Sequence, residues 1–161
     1  MKKILAVVII IAVALVVWVV IARVVLRVQV EKDFTLNDLN GKPFVLNSVG
    51  GQPIVLTFVL SRCPECKTEA TNLNRMYNKY KNDKKLVVLG IAEDAEATDM
   101  VKNLEIVFPM VVDEHYRVAT LYGVKKLPHV IFIDKKGKVV RNVIETVLDE
   151  ATIEKYLQEI F

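Results

Sequence analysis

Hydrophobic and polar positions divide the chain into one unbroken apolar run and a long patterned remainder. Residues 4–22, ILAVVIIIAVALVVWVVIA, are 19 consecutive apolar positions, with Lys2 and Lys3 before them and Arg23 and Arg27 after. At about 1.5 Å per residue, a helix of that length spans roughly the ~30 Å hydrocarbon layer of a bilayer. Its Val and Ile residues are poor helix formers in water, but a bilayer forces internal hydrogen bonding on them. The pattern therefore predicts a single transmembrane anchor over 4–22, contacting lipid. A cleaved signal peptide is the alternative, but its apolar region runs only about 7–15 residues. The best small-residue site here, Val20-Ile21-Ala22, would leave Arg23 as the new terminus. Positive charges nearly balance across the run, so they assign no orientation.

The remainder carries shorter periods. Phe34 to Leu46 alternates around Asn40-Gly41, which predicts a hairpin because both turn residues tolerate positive φ. NSVGGQP reads as a linker. Ile54 to Leu60, Leu86 to Ala92 and His129 to Asp134 are short runs rich in β-branched residues, as buried strands require. Cys66, Ala70, Leu73, Tyr77 and Tyr80 recur at helical spacing, with Met76 beside them, which predicts an amphipathic helix. Glu96 to Leu104 and Glu114 to Tyr122 read as shorter helical pieces, and FPMVVD as a brief extended one. A tight turn over Lys135 to Lys138 leads into VVRNVIETV, and Asp149 caps a last helix reaching Ile160. Alternating strands and helices followed by a hairpin imply an α/β fold whose sheet is mixed. The expected organisation is a tail at 1–3, an anchor at 4–22, a juxtamembrane linker at 23–32 and one domain at 33–161.

Charge changes the picture little. Four of the 22 Lys and Arg residues flank the apolar run, which leaves 18 against 19 acids in the domain. The domain is near neutral, so no nucleic-acid partner is expected.

The chemistry concentrates in SRCPECKTEA, which holds the two cysteines of the chain, Cys63 and Cys66. Cys63 follows a buried strand and opens a helix, where unpaired N–H groups and the helix dipole favour a thiolate. Cys66 lies nearly one turn on and faces inward. One thiol is thus placed to attack and the other to resolve, the redox reading of C-x-x-C beside a β-α-β pattern. Pro64 suits the first helical turn. Glu65 puts negative charge near both sulfurs and opposes thiolate formation. Two other readings of the pair fit the chain less well. A structural zinc site needs four ligands, and here two cysteines join only His115 and His129, which are not at finger spacing. A structural bridge over so short a loop constrains little. No metal and no cofactor are expected.

With these residues, the chain resembles the thioredoxin superfamily, and within it the membrane-tethered TlpA/ResA-like thiol-disulfide oxidoreductases. DFTLNDLNGKPFVL resembles that group's opening hairpin, and CPEC, LYGVKKLPHVIFID and DKKGKVV fall in family order. The resemblance implies a thioredoxin-like fold with an extra N-terminal β-hairpin. It implies that Cys63 and Cys66 are the redox pair and that the bond before Pro128 is cis. The Leu127 backbone then binds an extended substrate, and Glu69 is a buried acid that tunes the cysteines and handles protons. Without the resemblance, Glu69 reads as a solvated helix-surface residue.

The sequence also departs from that pattern. Arg62 stands where family members carry Trp, placing a cation beside Cys63. His129 follows Pro128 where Thr is common; it either approaches the sulfurs or packs, satisfied, at the start of a strand. His115, Lys67 and Arg75 read as surface residues. The expected function is a membrane-anchored thiol-disulfide oxidoreductase on the oxidising side of the membrane. By resemblance its substrate is an extracytoplasmic protein disulfide such as that of apocytochrome c, and a membrane dithiol donor re-reduces it. Rival readings are a Sco-like copper metallochaperone, which uses one more residue between its cysteines, and a thiol peroxidase of the redoxin type. A MauD-like branch of the same class also lacks the Trp.

Overall fold

The computed structural model describes residues 9–19, 30–94 and 96–161. Residues 9–19 of the apolar run are helical with their side chains exposed; the rest of the expected anchor lies outside the described residues. Among the described residues no helix is long and apolar enough to cross a membrane.

The domain is built on seven strands: β1 (Thr35–Asp38), β2 (Pro43–Val45), β3 (Ile54–Val59), β4 (Val87–Ala92), β5 (Met110–Val112), β6 (His129–Ile133) and β7 (Val139–Ile144). Their order across the sheet is β2-β1-β5-β4-β3-β6-β7. β3, β4 and β5 run parallel, and every other pairing is antiparallel. The central position of β3 explains its sequence: all six of its residues are buried, because both faces are covered.

Four helices flank the sheet: α1 (Pro64–Tyr80), α2 (Ala97–Asn103), α3 (Arg117–Tyr122) and α4 (Glu150–Ile160). Alternation along the strands sorts the side chains into two cores. Val55, Val59, Val130 and Phe132 pack with Cys66, Ala70 and Leu73 of α1 and with Ile153 and Leu157 of α4. Phe58, Ile131 and Ile133 point the other way, against Leu36, Val118 and Tyr122. The stripe expected from the 3.6 period on α1 faces the first core, as do the buried residues of α4, and Asp149 caps α4 by accepting from the Thr152 N–H at 2.8 Å.

The hairpin turns where expected, with Gly41 at φ 80. It does not stand apart: β1 pairs with β5, Asn37 opposite Val112, so the hairpin extends the main sheet. The segment read as a linker opens with a turn of 3-10 helix, Leu46–Val49, because Leu46 is drawn fully into the second core. The chain before β1 also packs on the domain. Val30 is buried and its N–H donates to Asn47 Oδ1 at 2.7 Å.

Gly90 in β4 is covered closely by side chains of the next segment. A Cβ there would lie 1.9 Å from Met110 Sδ and 3.1 Å from Phe108 Cε2. Gly90→Ala is therefore expected to destabilise the domain by about 1–3 kcal/mol, since Met110 must leave its place in a closed core. Urea unfolding of the variant measures it.

Candidate active site

The site forms where β3 ends and α1 begins. Cys63 is the N-cap of α1, and Pro64 occupies the first helical turn, where its missing N–H costs nothing. The two cysteines form a disulfide with Cα atoms 5.2 Å apart. Cys63 Sγ also accepts the Cys66 N–H at 3.1 Å, so an otherwise orphaned donor of the helix end points at the outer sulfur. The pair is asymmetric in burial. Cys63 is partly exposed, whereas Cys66, on the inner face of α1, is fully buried in the first core. Glu65 is exposed, with Oε2 3.9 Å from Cys63 Sγ, and Arg62 is exposed.

Glu69 is where burial and charge conflict most. The side chain is completely buried. Its Oε2 accepts the Leu148 N–H at 2.6 Å, and its Oε1 has no hydrogen-bond partner among the described residues. Desolvation pushes its pKa up to about 7, and the Leu148 hydrogen bond only partly opposes that. The carboxyl thus changes charge near neutral pH, one helical turn beyond the buried sulfur. A surface glutamate, the reading of the helix pattern by itself, does not describe it. Spacing along α1 puts residue 69 on the buried stripe, and the Leu148 segment closes over it. Asn72 Nδ2 donates to the Leu148 carbonyl at 2.9 Å, so α1 clasps that residue at both its backbone groups.

The Leu127–Pro128 bond is cis. Leu127 is half-buried and Pro128 buried, and the Pro128 carbonyl accepts the Glu145 N–H at 2.9 Å. His129 turns away from the sulfurs. It shares the face of Ile131 and Ile133, its ring lies 5.9 Å from that of Phe58, and Nε2 meets Asn142 Oδ1. It is only half satisfied, because Nδ1 is buried without a partner among the described residues. Burial lowers its pKa, which favours the neutral ring. His115 is exposed, as are Lys67 and Arg75; Arg75 pairs with Glu150 at 2.7 Å. Among the described residues no three or more His, Cys, Asp or Glu side chains converge as a metal site.

One contact near the cysteines went unnoticed in the sequence. Asp94, just past β4, accepts the Ser61 N–H through Oδ2 at 2.7 Å and so holds the loop that delivers Cys63. Nothing in the local pattern around Asp94 signals this, because the two residues meet only through the parallel pairing of β3 and β4. Glu93 beside it is raised by its own burial and by the charges of Asp113 and Asp94.

Comparison with known proteins agrees with this geometry. Residues 29–142 match the AhpC/TSA family. The thiol-disulfide oxidoreductase ResA of Bacillus anthracis is 35% identical over 142 residues, covering 83% of this chain and 80% of that protein. Among solved structures, DsbF of Mycobacterium tuberculosis superimposes with a TM-score of 0.75 at 22% identity, covering 83% of this chain and 100% of that one. A secreted disulfide oxidoreductase from the same organism, homologous to Escherichia coli DsbE, gives 0.70 at 25% identity over 78% and 95% of the two chains. The chain belongs to the AhpC/TSA family within the thioredoxin superfamily and is a thiol-disulfide oxidoreductase of the ResA/DsbE type.

Proposed function

We propose that this protein reduces disulfides of extracytoplasmic proteins while held to the membrane by residues 4–22. One observation carries the reading. A partly exposed Cys63 and a buried Cys66 share a disulfide, with the carboxyl of Glu69 buried one turn beyond. In the reduced protein the Cys63 thiolate attacks a substrate disulfide, forming a Cys63–substrate bond and releasing one substrate thiolate. The substrate backbone lies along Leu127-Pro128. The Cys66 thiol passes its proton to the Glu69 carboxylate, attacks Cys63 Sγ and expels the second substrate thiolate. That step leaves the Cys63–Cys66 disulfide, and the Glu69 proton passes to the departing sulfur. A membrane dithiol donor then supplies two electrons and two protons to restore the thiols.

The anchor is supported by 19 unbroken apolar residues, of which 9–19 are helical. Val30 packs on the domain, which leaves residues 23–29 as the tether between the apolar run and the fold. Glu65 and Arg62 flank Cys63 with opposite charges and adjust its thiolate population in opposite directions. The substrate class is an unfolded extracytoplasmic chain carrying a cysteine pair, such as apocytochrome c before haem attachment.

The test is capture in cells. The Cys66→Ala chain should accumulate a reducible adduct with such a substrate, and its Cys63 should react with a membrane-impermeant maleimide in intact cells once the adduct is reduced. Labelling only after lysis would overturn the extracytoplasmic placement. An adduct with cytosolic proteins alone would overturn the substrate class.

A further inference from the structure

Two oxygens on the dithiol side of the sheet are buried without a partner among the described residues, Thr57 Oγ1 and Glu69 Oε1. Both residues are 0% exposed. Alternation along β3 puts Thr57 on the face of Val55 and Val59, which pack in one core with Cys66, Ala70 and Leu73 of α1. Glu69 lies on the buried stripe of that same helix, between Cys66 and Leu73. Thr57 and Glu69 therefore occupy one layer, between β3 and α1, beneath the disulfide. The strand neighbours of Thr57 are Gly90 and Val130, neither of which carries a polar side-chain group. The other two unpartnered buried atoms lie elsewhere: His129 Nδ1 faces the opposite core, and Asp94 Oδ1 sits in the loop past β4.

A buried hydroxyl or carboxyl oxygen left unpaired costs about 1–3 kcal/mol, more when the group is charged. Native proteins usually remove that cost with a buried water that has two or more polar partners. We propose that one water bridges Thr57 Oγ1 and Glu69 Oε1, making Thr57 a positioning residue for the proton that Glu69 takes from Cys66. The proposal rests on the exchange reading given above.

The consequence is electrostatic. Burial raises Glu69, and no charged neighbour contributes to its shift. Donors that reach its ionised form therefore oppose that rise. The Leu148 N–H serves one oxygen; the Thr57 hydroxyl, through the water, serves the other. Removing the hydroxyl leaves the ionised carboxylate short of a donor and favours the protonated form. Glu69 then accepts the Cys66 proton less readily at a given pH.

The experiment follows Glu69 itself, by carboxyl-carbon NMR across pH in the oxidised wild type, Thr57→Val and Thr57→Ser. Thr57→Val is expected to raise the Glu69 midpoint by about one pH unit. Thr57→Ser, which keeps the hydroxyl, should restore the wild-type midpoint. The pH profile of Cys66-dependent resolution should move with it. If Thr57→Val does not fold, Thr57→Ala removes the same hydroxyl and is titrated in its place. An unmoved midpoint in the folded hydroxyl-free variant overturns the water bridge, as does Thr57→Ser behaving like Thr57→Val. Reductase activity that survives Cys63→Ala would instead overturn the exchange reading, whatever Glu69 does.

Discussion

Cys63→Ala is expected to abolish turnover on a protein disulfide, while Cys66→Ala keeps the first chemical step and loses the second. The difference follows from burial. Cys63 is the partly exposed sulfur at the helix N-terminus, and Cys66 is sealed in the core on the inner face of α1. Without Cys63 there is no exposed thiolate to attack. Without Cys66 the attack still occurs, but the mixed disulfide persists because only an external thiol can resolve it. In a quenched reaction with excess oxidised protein substrate, Cys66→Ala should form about one adduct per chain and then stop. Its multiple-turnover rate should fall by about a thousandfold or more, the scale of removing one member of a cooperating catalytic group. Cys63→Ala should form no adduct. The Cys63 side chain sits at the surface end of α1, so its loss should cost the fold little.

Glu69→Gln is expected to change the pH dependence of stability more than any other single substitution here. An unfolded glutamate titrates near 4.5, and the folded one near 7. Between those values the native state holds a proton that the unfolded state releases. Stability therefore falls as pH rises from about 4.5 to about 7, and the loss stays complete above that range. Two to three units correspond to about 3 kcal/mol. Glutamine carries no such penalty, although its amide brings its own fixed cost beside the closed Leu148 loop. The difference in unfolding free energy between variant and wild type, whatever its offset at pH 4, should thus grow by about 3 kcal/mol by pH 8 in favour of the variant. Urea denaturation of the oxidised proteins across that range measures it. A constant difference would mean that Glu69 titrates normally despite its burial. In the exchange reaction the same substitution removes the proposed acceptor for the Cys66 proton, so the variant should be more stable at pH 8 yet slower to resolve its adduct.

Local pattern made much of this legible. The Cys66–Tyr80 stripe located α1, Asn40-Gly41 located the hairpin turn, and Asp149 located the start of α4, because each is a short-range cap, turn or period. Features that depend on distant partners were not legible. Glu69 is buried because a segment 79 residues away lays the Leu148 N–H on its carboxylate. Without the family resemblance, a charged residue on a helix reads as solvated, even though its spacing from Cys66 puts it on the buried face. His129 could be drawn toward the sulfurs only while its face was unknown; alternation with Ile131 and Ile133 fixes that face once both cores are seen. Thr57 passed as one more residue of a buried strand. Its hydroxyl became notable only when the helix above it supplied a second unpartnered oxygen. The pairing of β1 with β5 likewise depends on two short strands more than 70 residues apart, neither of which names its partner.

The central claim is that Cys63 attacks and Cys66 resolves. Its most direct test is to mix each reduced single-cysteine variant with a disulfide-bonded protein, quench with acid within the first turnover, and map the adduct by peptide mass. The expected result is a substrate-linked peptide containing Cys63 from the Cys66→Ala protein and none containing Cys66 from the Cys63→Ala protein. Substrate attached at Cys66, or attached equally at both positions, would contradict it.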